Sequence, residues 1–187
     1  MDVTHPPRRV LITGAAGAGS TTLGRVVATQ LAIPHHDSDD YLWLPTAPPY
    51  RELRPKEDRL RLMREMFLAR SEWVLSGGVQ GWADEVATMF DLIVFLRAPT
   101  DLRLTRLRAR EARTFGVNAV APGGWREKEF EEFIDWASRY DDGTAEGRNL
   151  PRQLAWLKTL RAPVLRLDGS RQISELTGEI LDALPTR

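Results

Sequence analysis

The chain has 187 residues, with 26 basic and 26 acidic side chains and no cysteine. That length fits one domain able to bury roughly 70% of its unfolded surface. Balanced charge excludes broad electrostatic capture of nucleic acid or of an anionic membrane. The lack of cysteine excludes disulfides, thiolate zinc sites and a cysteine nucleophile.

The N-terminal MDVTHPPRRV holds no apolar run of signal-peptide length, and no stretch approaches the ~18 apolar residues of a membrane helix. A cytoplasmic protein is expected. Lysine occurs only at 56, 128 and 158, and the other basic residues are arginines. Any cation that serves an anion here is therefore expected to be a guanidinium.

Five short apolar runs predict strands: Val10–Thr13, Ile33–Asp37, Trp73–Ser76, Leu92–Leu96 and Val164–Leu167. None alternates cleanly, which suits strands buried on both faces of a parallel sheet. Helical patterns fall between them. One covers Ser20–Leu31, and another opens at Pro55 with Leu60, Met63 and Phe67 on one face. Thr100 starts a third, and Phe130, Phe133, Ile134 and Ala137 mark a fourth. Pro151 sits in the first turn of a fifth, and the last carries Ile173, Leu176, Ile180, Leu181 and Leu184. Strands alternating with helices predict an α/β doubly wound domain.

Two segments break the rhythm. Leu42–Arg54 (LWLPTAPPYRELR) contains three prolines, and Phe115–Gly124 (FGVNAVAPGG) joins two helices far from any strand. Insertions of this kind are candidate lids over a site.

The first strand runs into GAAGAGSTT, residues 14–22, which nearly fits the pattern G-x-x-x-x-G-K-[ST] of a phosphate-binding loop. The lysine position holds Ser20. Gly14, Gly17 and Gly19 let Ala15, Ala18 and their neighbours turn successive N–H groups inward as an anion nest. The following helix adds free N–H groups and roughly half a positive charge at its N-terminus. Neither contribution needs a side chain, so anion binding is expected to survive without the ammonium. Thr21 takes the place of a magnesium-contacting hydroxyl, and Thr22 can reach a nearer phosphate. Catalysis is the exposed part: losing one preorganised donor typically costs ~3–4 kcal/mol of transition-state stabilisation, which an arginine elsewhere can restore.

Beyond the loop come LAIPHHDSDDYLW, WVLSGG, DLIVFLRAPTDLRLTRLRAR and VLRLDGS, in that order. With the glycine loop, this order resembles the small P-loop kinases of adenylate kinase and shikimate kinase type. It is most similar to bacterial adenylate-kinase-like proteins whose loop lacks the lysine. The resemblance spans nearly the whole chain. It implies a three-layer P-loop fold with a five-stranded parallel sheet, a core over about 8–114 and 140–187, and a helical lid over about 115–139. It implies ATP and Mg2+ as cofactors and a nucleoside triphosphate and small-molecule acceptor as partners, with no nucleic acid and no membrane.

By the same resemblance, Asp37 and Asp39 match a pair in which one carboxylate organises magnesium and the other holds the acceptor. Gly77 and Gly78 match glycines near the acceptor. Arg106 and Arg110 match lid-entry arginines, Arg139 matches a later lid arginine, and Asp168 and Gly169 match the loop bordering the adenine. Three departures stand out. The loop lysine is absent, SGGVQGW replaces the Asp-Gly-x-Pro-Arg signature of true adenylate kinases, and the three consecutive glycines expected of shikimate kinases are missing.

Other residues invite weighing. Arg103, Arg106, Arg110 and Arg113 fall on one helical face and are expected to form a phosphate-facing cluster. His35 and His36 point to opposite faces of a strand, so they are expected to be structural rather than one metal site. Tyr41, Trp43 and Trp82 sit near the expected acceptor pocket, where packing is as good a reading as stacking. The reading that follows is a magnesium-dependent kinase acting on a nucleoside monophosphate, with a small hydroxylated metabolite as second choice. The competing class is a nucleotide sensor that has lost transfer along with the lysine.

Overall fold

The structure is a computed structural model and describes residues 8–185. The expectation for the segment before Arg8 lies outside the described residues.

Five strands form one parallel sheet: β1 (Arg8–Gly14), β2 (His35–Asp37), β3 (Glu72–Ser76), β4 (Leu92–Arg97) and β5 (Val164–Asp168). Their order is β2-β3-β1-β4-β5. The expected strands all occur. The second is shorter than Ile33–Asp37 because Ile33 and Pro34 lie in the turn that leaves the preceding helix, and Pro34 contributes only its carbonyl, to Val74 N–H. Among the described residues eight α-helices accompany the strands: α1 (Ser20–Leu31), α2 (Ser38–Leu42), α3 (Lys56–Met63), α4 (Thr100–Phe115), α5 (Val117–Val120), α6 (Glu127–Ser138), α7 (Leu150–Thr159) and α8 (Ile173–Asp182), the last following β5. A π-turn over Arg64–Leu68 extends α3 and brings Phe67 into the core.

The central strands are apolar on both faces, and each face has its own core. Leu11, Leu75, Ile93 and Phe95 pack with Met63, Phe67, Trp73, Phe90 and Leu157 on one side. Val10, Ile12, Val74 and Val94 pack with Leu23, Val27, Leu176 and Ile180 on the other, under α1 and α8. At about 25 cal/mol per Å² of apolar surface, each such side chain contributes roughly 1.5–3 kcal/mol when buried. Two-sided burial explains why the strands read as continuous apolar runs.

A third, smaller cluster of Leu107, Phe130, Ile134 and Ala137 joins α4 to α6, so the segment expected as a lid has its own apolar seam. It is reinforced by a buried ion pair, Arg126 to Glu111 at 3.1 Å, with the Arg126 guanidinium 3.8 Å from the centre of the Phe115 ring. Among the described residues no helix is long and apolar enough to cross a membrane.

Chain order places the crossovers so that the carboxyl ends of β1, β2 and β3 are neighbours. Ile12 and Asp37 are both in register with Ser76. The turns that follow these strands therefore meet at one sheet edge, where parallel α/β folds place ligands.

Candidate active site at the carboxyl edge of the sheet

The turn after β1 is shaped by two close approaches. A Cβ on Gly14 would lie 2.2 Å from the Leu96 carbonyl oxygen, and one on Gly17 would lie 2.6 Å from that of Arg103. Gly17 also has a φ of 79°, which a side chain resists. These positions demand glycine for backbone reasons, and the turn they permit delivers the chain to α1. That helix has no side-chain cap and no acidic residue in its first turn. Its leading N–H groups and positive end are thus free to meet an anion.

The hydroxyl of Thr21, in the first turn of α1, donates to Asp37 Oδ2 at 2.8 Å. Asp37 ends β2, caps α2 by accepting from Asp39 N–H at 3.1 Å, and accepts from Ser76 Oγ at 3.4 Å. Ser76 is met on its other side by His35 Nε2 at 3.0 Å. Thr21, Asp37 and Asp39, expected from sequence as a metal-binding set, thus stand on adjacent turns. Among the described residues no three His, Asp or Glu side chains converge as a ready metal cage. An all-oxygen pair of one hydroxyl and one carboxylate, open to solvent water, fits magnesium, which keeps several waters and takes one or two carboxylates.

Asp39 stands in a stronger field. Removal from water raises its pKa, the Asp37 charge raises it further, and the guanidiniums of Arg148 and Arg110 oppose both. Arg148 is the residue that the sequence reading missed. It lies in the loop between α6 and α7, and its Nη1 is so close to Gly78 that a Cβ there would sit 2.3 Å away. Among the described residues Arg148 makes no hydrogen bond and no ion pair, and burial depresses its pKa against the opposing pull of Tyr140 and Asp39. Its neighbour Asn149 caps α7 and ties back to the Ala145 carbonyl at 3.0 Å, which holds the loop. No local sequence pattern marks Arg148; only the fold brings it opposite Asp39. Gly78 N–H also donates to Ser38 Oγ at 3.1 Å, so the two glycines after β3 pack directly against α2.

The arginine face of α4 divides. Arg103 is fully buried and donates to the carbonyls of Ala98, Ala16 and Ala137, to Thr100 Oγ1 and to Asp141 Oδ2, the last at 2.7 Å. It pins the glycine turn to the end of α6. The expectation of a four-arginine phosphate-facing cluster is corrected accordingly, because the first guanidinium is already saturated by protein. Arg106 Nη1 bridges the carbonyls of Ala18 and Gly169 at 3.3 and 3.0 Å, tying the glycine turn to the loop after β5. Beside it, Asp168 accepts from Ser170 N–H and Oγ, which holds its carboxyl below the usual range. Arg110 is half-exposed, pairs weakly with Glu111 at 3.4 Å, and lies over Phe133. Arg139 ends α6 and pairs with Asp135 at 2.7 Å.

The two histidines part as expected. His35 goes to Ser76, whereas His36 accepts from or donates to Tyr41 Oη at 2.8 Å and stacks on Phe67. Trp82 donates its indole N–H to the Gly78 carbonyl at 2.8 Å, a structural use of an aromatic considered for stacking.

The sheet order, the glycine turn against α1 and the separate α4–α6 seam define the three-layer α/β fold of P-loop kinases. Shikimate kinase from Acinetobacter baumannii, solved with shikimate, superposes with a TM-score of 0.56 at 16% identity, over 95% of this chain and 92% of that one. No family model matches the sequence. The chain belongs to the family of YqaC, an uncharacterized protein of Bacillus subtilis (strain 168), with which it is 36% identical over 177 residues, 95% of this chain and 97% of that one. It is also similar to a cytidylate kinase of Archaeoglobus fulgidus, 27% identical over 139 residues, 68% of this chain and 74% of the relative.

Proposed function

We propose that the protein is a magnesium-dependent kinase that transfers a phosphoryl group from ATP to a small anionic acceptor, a nucleoside monophosphate. The observation that carries the acceptor's charge is Arg148, a guanidinium with no hydrogen-bond or ion-pair partner among the described residues, set against Gly78 and within the field of Asp39. A buried-side cation left unpaired costs stability, and an incoming anion relieves that cost. The similarity to a cytidylate kinase supports the same acceptor class.

In this reading the N–H groups of 14–20 and the start of α1 grip the triphosphate. Thr21 and Asp37 would hold magnesium, which would supply neutralisation of charge on the phosphates. Arg106, between the Ala18 and Gly169 carbonyls, walls the nucleotide side together with Asp168 and Gly169. Arg110 supplies the charge that Ser20 lacks, and lid closure excludes water that would otherwise hydrolyse the donor. Arg139 stands at the end of the lid helix, between Ala137 and Asp141, which Arg103 holds.

A second reading keeps a hydroxylated small metabolite as acceptor. The raised pKa of Asp39 favours it, since a hydroxyl nucleophile needs a carboxylate to accept its proton, whereas a monophosphate oxygen does not.

A coupled turnover assay with ATP, Mg2+ and AMP, CMP, GMP or UMP tests the proposal, with shikimate and gluconate as hydroxylated comparators. Transfer to a monophosphate supports it, and transfer only to a hydroxylated compound moves the assignment to the second reading. Calorimetric ATP binding with no transfer to any acceptor identifies a sensor instead.

A further inference from the structure

The segment between α2 and α3 reads as an irregular proline-rich loop, yet it is built as a short hairpin. Leu44 N–H donates to the Glu52 carbonyl and Arg54 N–H to the Leu42 carbonyl, each at 2.9 Å, and Trp43 bridges antiparallel to Leu53. Arg54 staples its base by donating to the carbonyls of Tyr41 and Trp43. A stapled base holds the tip of the hairpin at a definite place beside Asp39.

Two neighbouring residues of that tip behave unusually. Tyr50 adopts a φ of 65°, a left-handed conformation that a residue with a Cβ resists and that recurs at functional sites. Its ring meets Trp43 edge-on at 6.0 Å, and its phenol feels Asp39, Arg110, Asp37 and Asp40. The next residue, Arg51, forms an ion pair with Glu129 in the first turn of α6, Nη1 to Oε1 2.8 Å. This pair joins two segments distant in sequence, the acceptor-side hairpin and the lid. An ion pair as exposed as this one adds little to overall stability. Its consequence is geometric: it ties the hairpin tip to α6 while the Tyr50 ring stays against Trp43, within the electrostatic reach of Asp39.

We propose that Arg51 and Glu129 are positioning residues that couple the hairpin to the lid, and that Tyr50 is thereby held as an acceptor-contacting residue over Asp39. The Tyr50 role rests on the kinase reading given above, whereas the hairpin–lid tie does not. The planar phenol, with Trp43 against it and Arg110 and Arg148 facing the same carboxylate, suits an acceptor that combines a ring with an anionic group. As the lid closes over the donor, the tie draws the hairpin onto the acceptor. Both substrates would then be enclosed by one movement.

The absence of native cysteine makes a two-label distance measurement clean. Spin labels at Glu52→Cys and Glu131→Cys report the hairpin–lid separation in the presence of Mg-ATP. Arg51→Glu or Glu129→Arg alone should lengthen and broaden that distance, and the double charge swap should restore it. Identical distance distributions in all four proteins overturn the tie, and this outcome needs no acceptor to be known. In turnover with AMP, CMP, GMP and UMP, each single charge change should raise the acceptor KM about tenfold with kcat less affected, and the swap should recover it. Tyr50→Ala should raise the acceptor KM at least as much, and an unchanged KM overturns its role. If the wild type transfers to none of the four, the monophosphate reading and the Tyr50 role fall together, while the label distances still decide the tie.

Discussion

Thr21 and Asp37 are joined by a 2.8 Å hydrogen bond between the start of α1 and the end of β2. The bond sets a hydroxyl and a carboxylate side by side at the mouth of the glycine turn, which is the donor set a magnesium ion takes beside a polyphosphate. Thr21→Val keeps the shape of the side chain and removes that oxygen. Turnover should fall by about 10²–10³, in line with losing one preorganised oxygen at a reacting phosphate. Calorimetry in EDTA should still detect ATP, since the backbone amides are untouched. Loss of metal-free binding would show that the threonine acts through the turn itself.

Asp39 is predicted to trade stability for function. A carboxylate whose folded pKa is raised destabilises the fold wherever it is ionised, and the full penalty applies above that raised pKa. Asp39→Asn removes the charge with little change of shape. The variant should melt at a higher temperature than the wild type at pH 7 and should lose most of its transfer activity. A lower melting temperature would mean that Arg148 and Arg110 stabilise Asp39 more than its desolvation and Asp37 oppose it.

Arg103 and Arg110 share a helix face but should respond in opposite ways. Arg103→Met takes from Asp141 its shortest ion pair, leaving it Thr100 and a 3.8 Å approach to Arg97, and frees three carbonyls. The cost should be about 3 kcal/mol, less than a wholly buried pair because Asp141 is one-third exposed, and the melting temperature should drop by about 6–12 °C. Arg110→Ala should leave the melting temperature nearly unchanged and lower kcat by about 10²-fold or more. Ser20→Lys belongs to the same experiment. If Arg110 supplies the missing charge, restoring the lysine should give no gain in kcat. A large gain would identify a degraded loop.

Acid should weaken the fold through His36. Burial against Phe67, with the charges of His35 and Arg70 adding, lowers its pKa from 6.5 to about 4. The unfolded chain takes up that proton first. Stability from keeping His36 neutral is therefore fully present above 6.5 and drains as pH falls toward 4. His36→Gln keeps an acceptor for the Tyr41 hydroxyl and does not titrate. Denaturant midpoints measured from pH 7 to pH 4.5 should slope less steeply in the variant than in the wild type. His35, lowered in the same direction, remains in both proteins and sets the residual slope.

Much of this architecture was legible in one dimension. Val10–Thr13 and Leu92–Leu96 read as strands because a parallel strand covered on both faces has no polar side to show. Gly14 and Gly17 betray the turn because no residue with a Cβ fits there. Asp37 was legible through its place at the end of a strand. The arginine stripe of α4 misled, because helical periodicity assigns a face but does not say what covers it. Ala16, Ala137 and Asp141 cover Arg103, and all three are distant in sequence.

By itself, then, the order of residues determined the alternation of strands and helices, the glycine turn and the carboxylates beside it, since each depends on local backbone geometry or on the period of burial. Tertiary structure alone decided which guanidiniums are free: Arg103 saturated, Arg106 bridging two carbonyls, Arg148 open against Gly78, and Arg51 carried across to Glu129. The physical reason is that a long charged side chain takes its role from whichever acceptors the fold brings within its reach, and those acceptors come from distant parts of the chain.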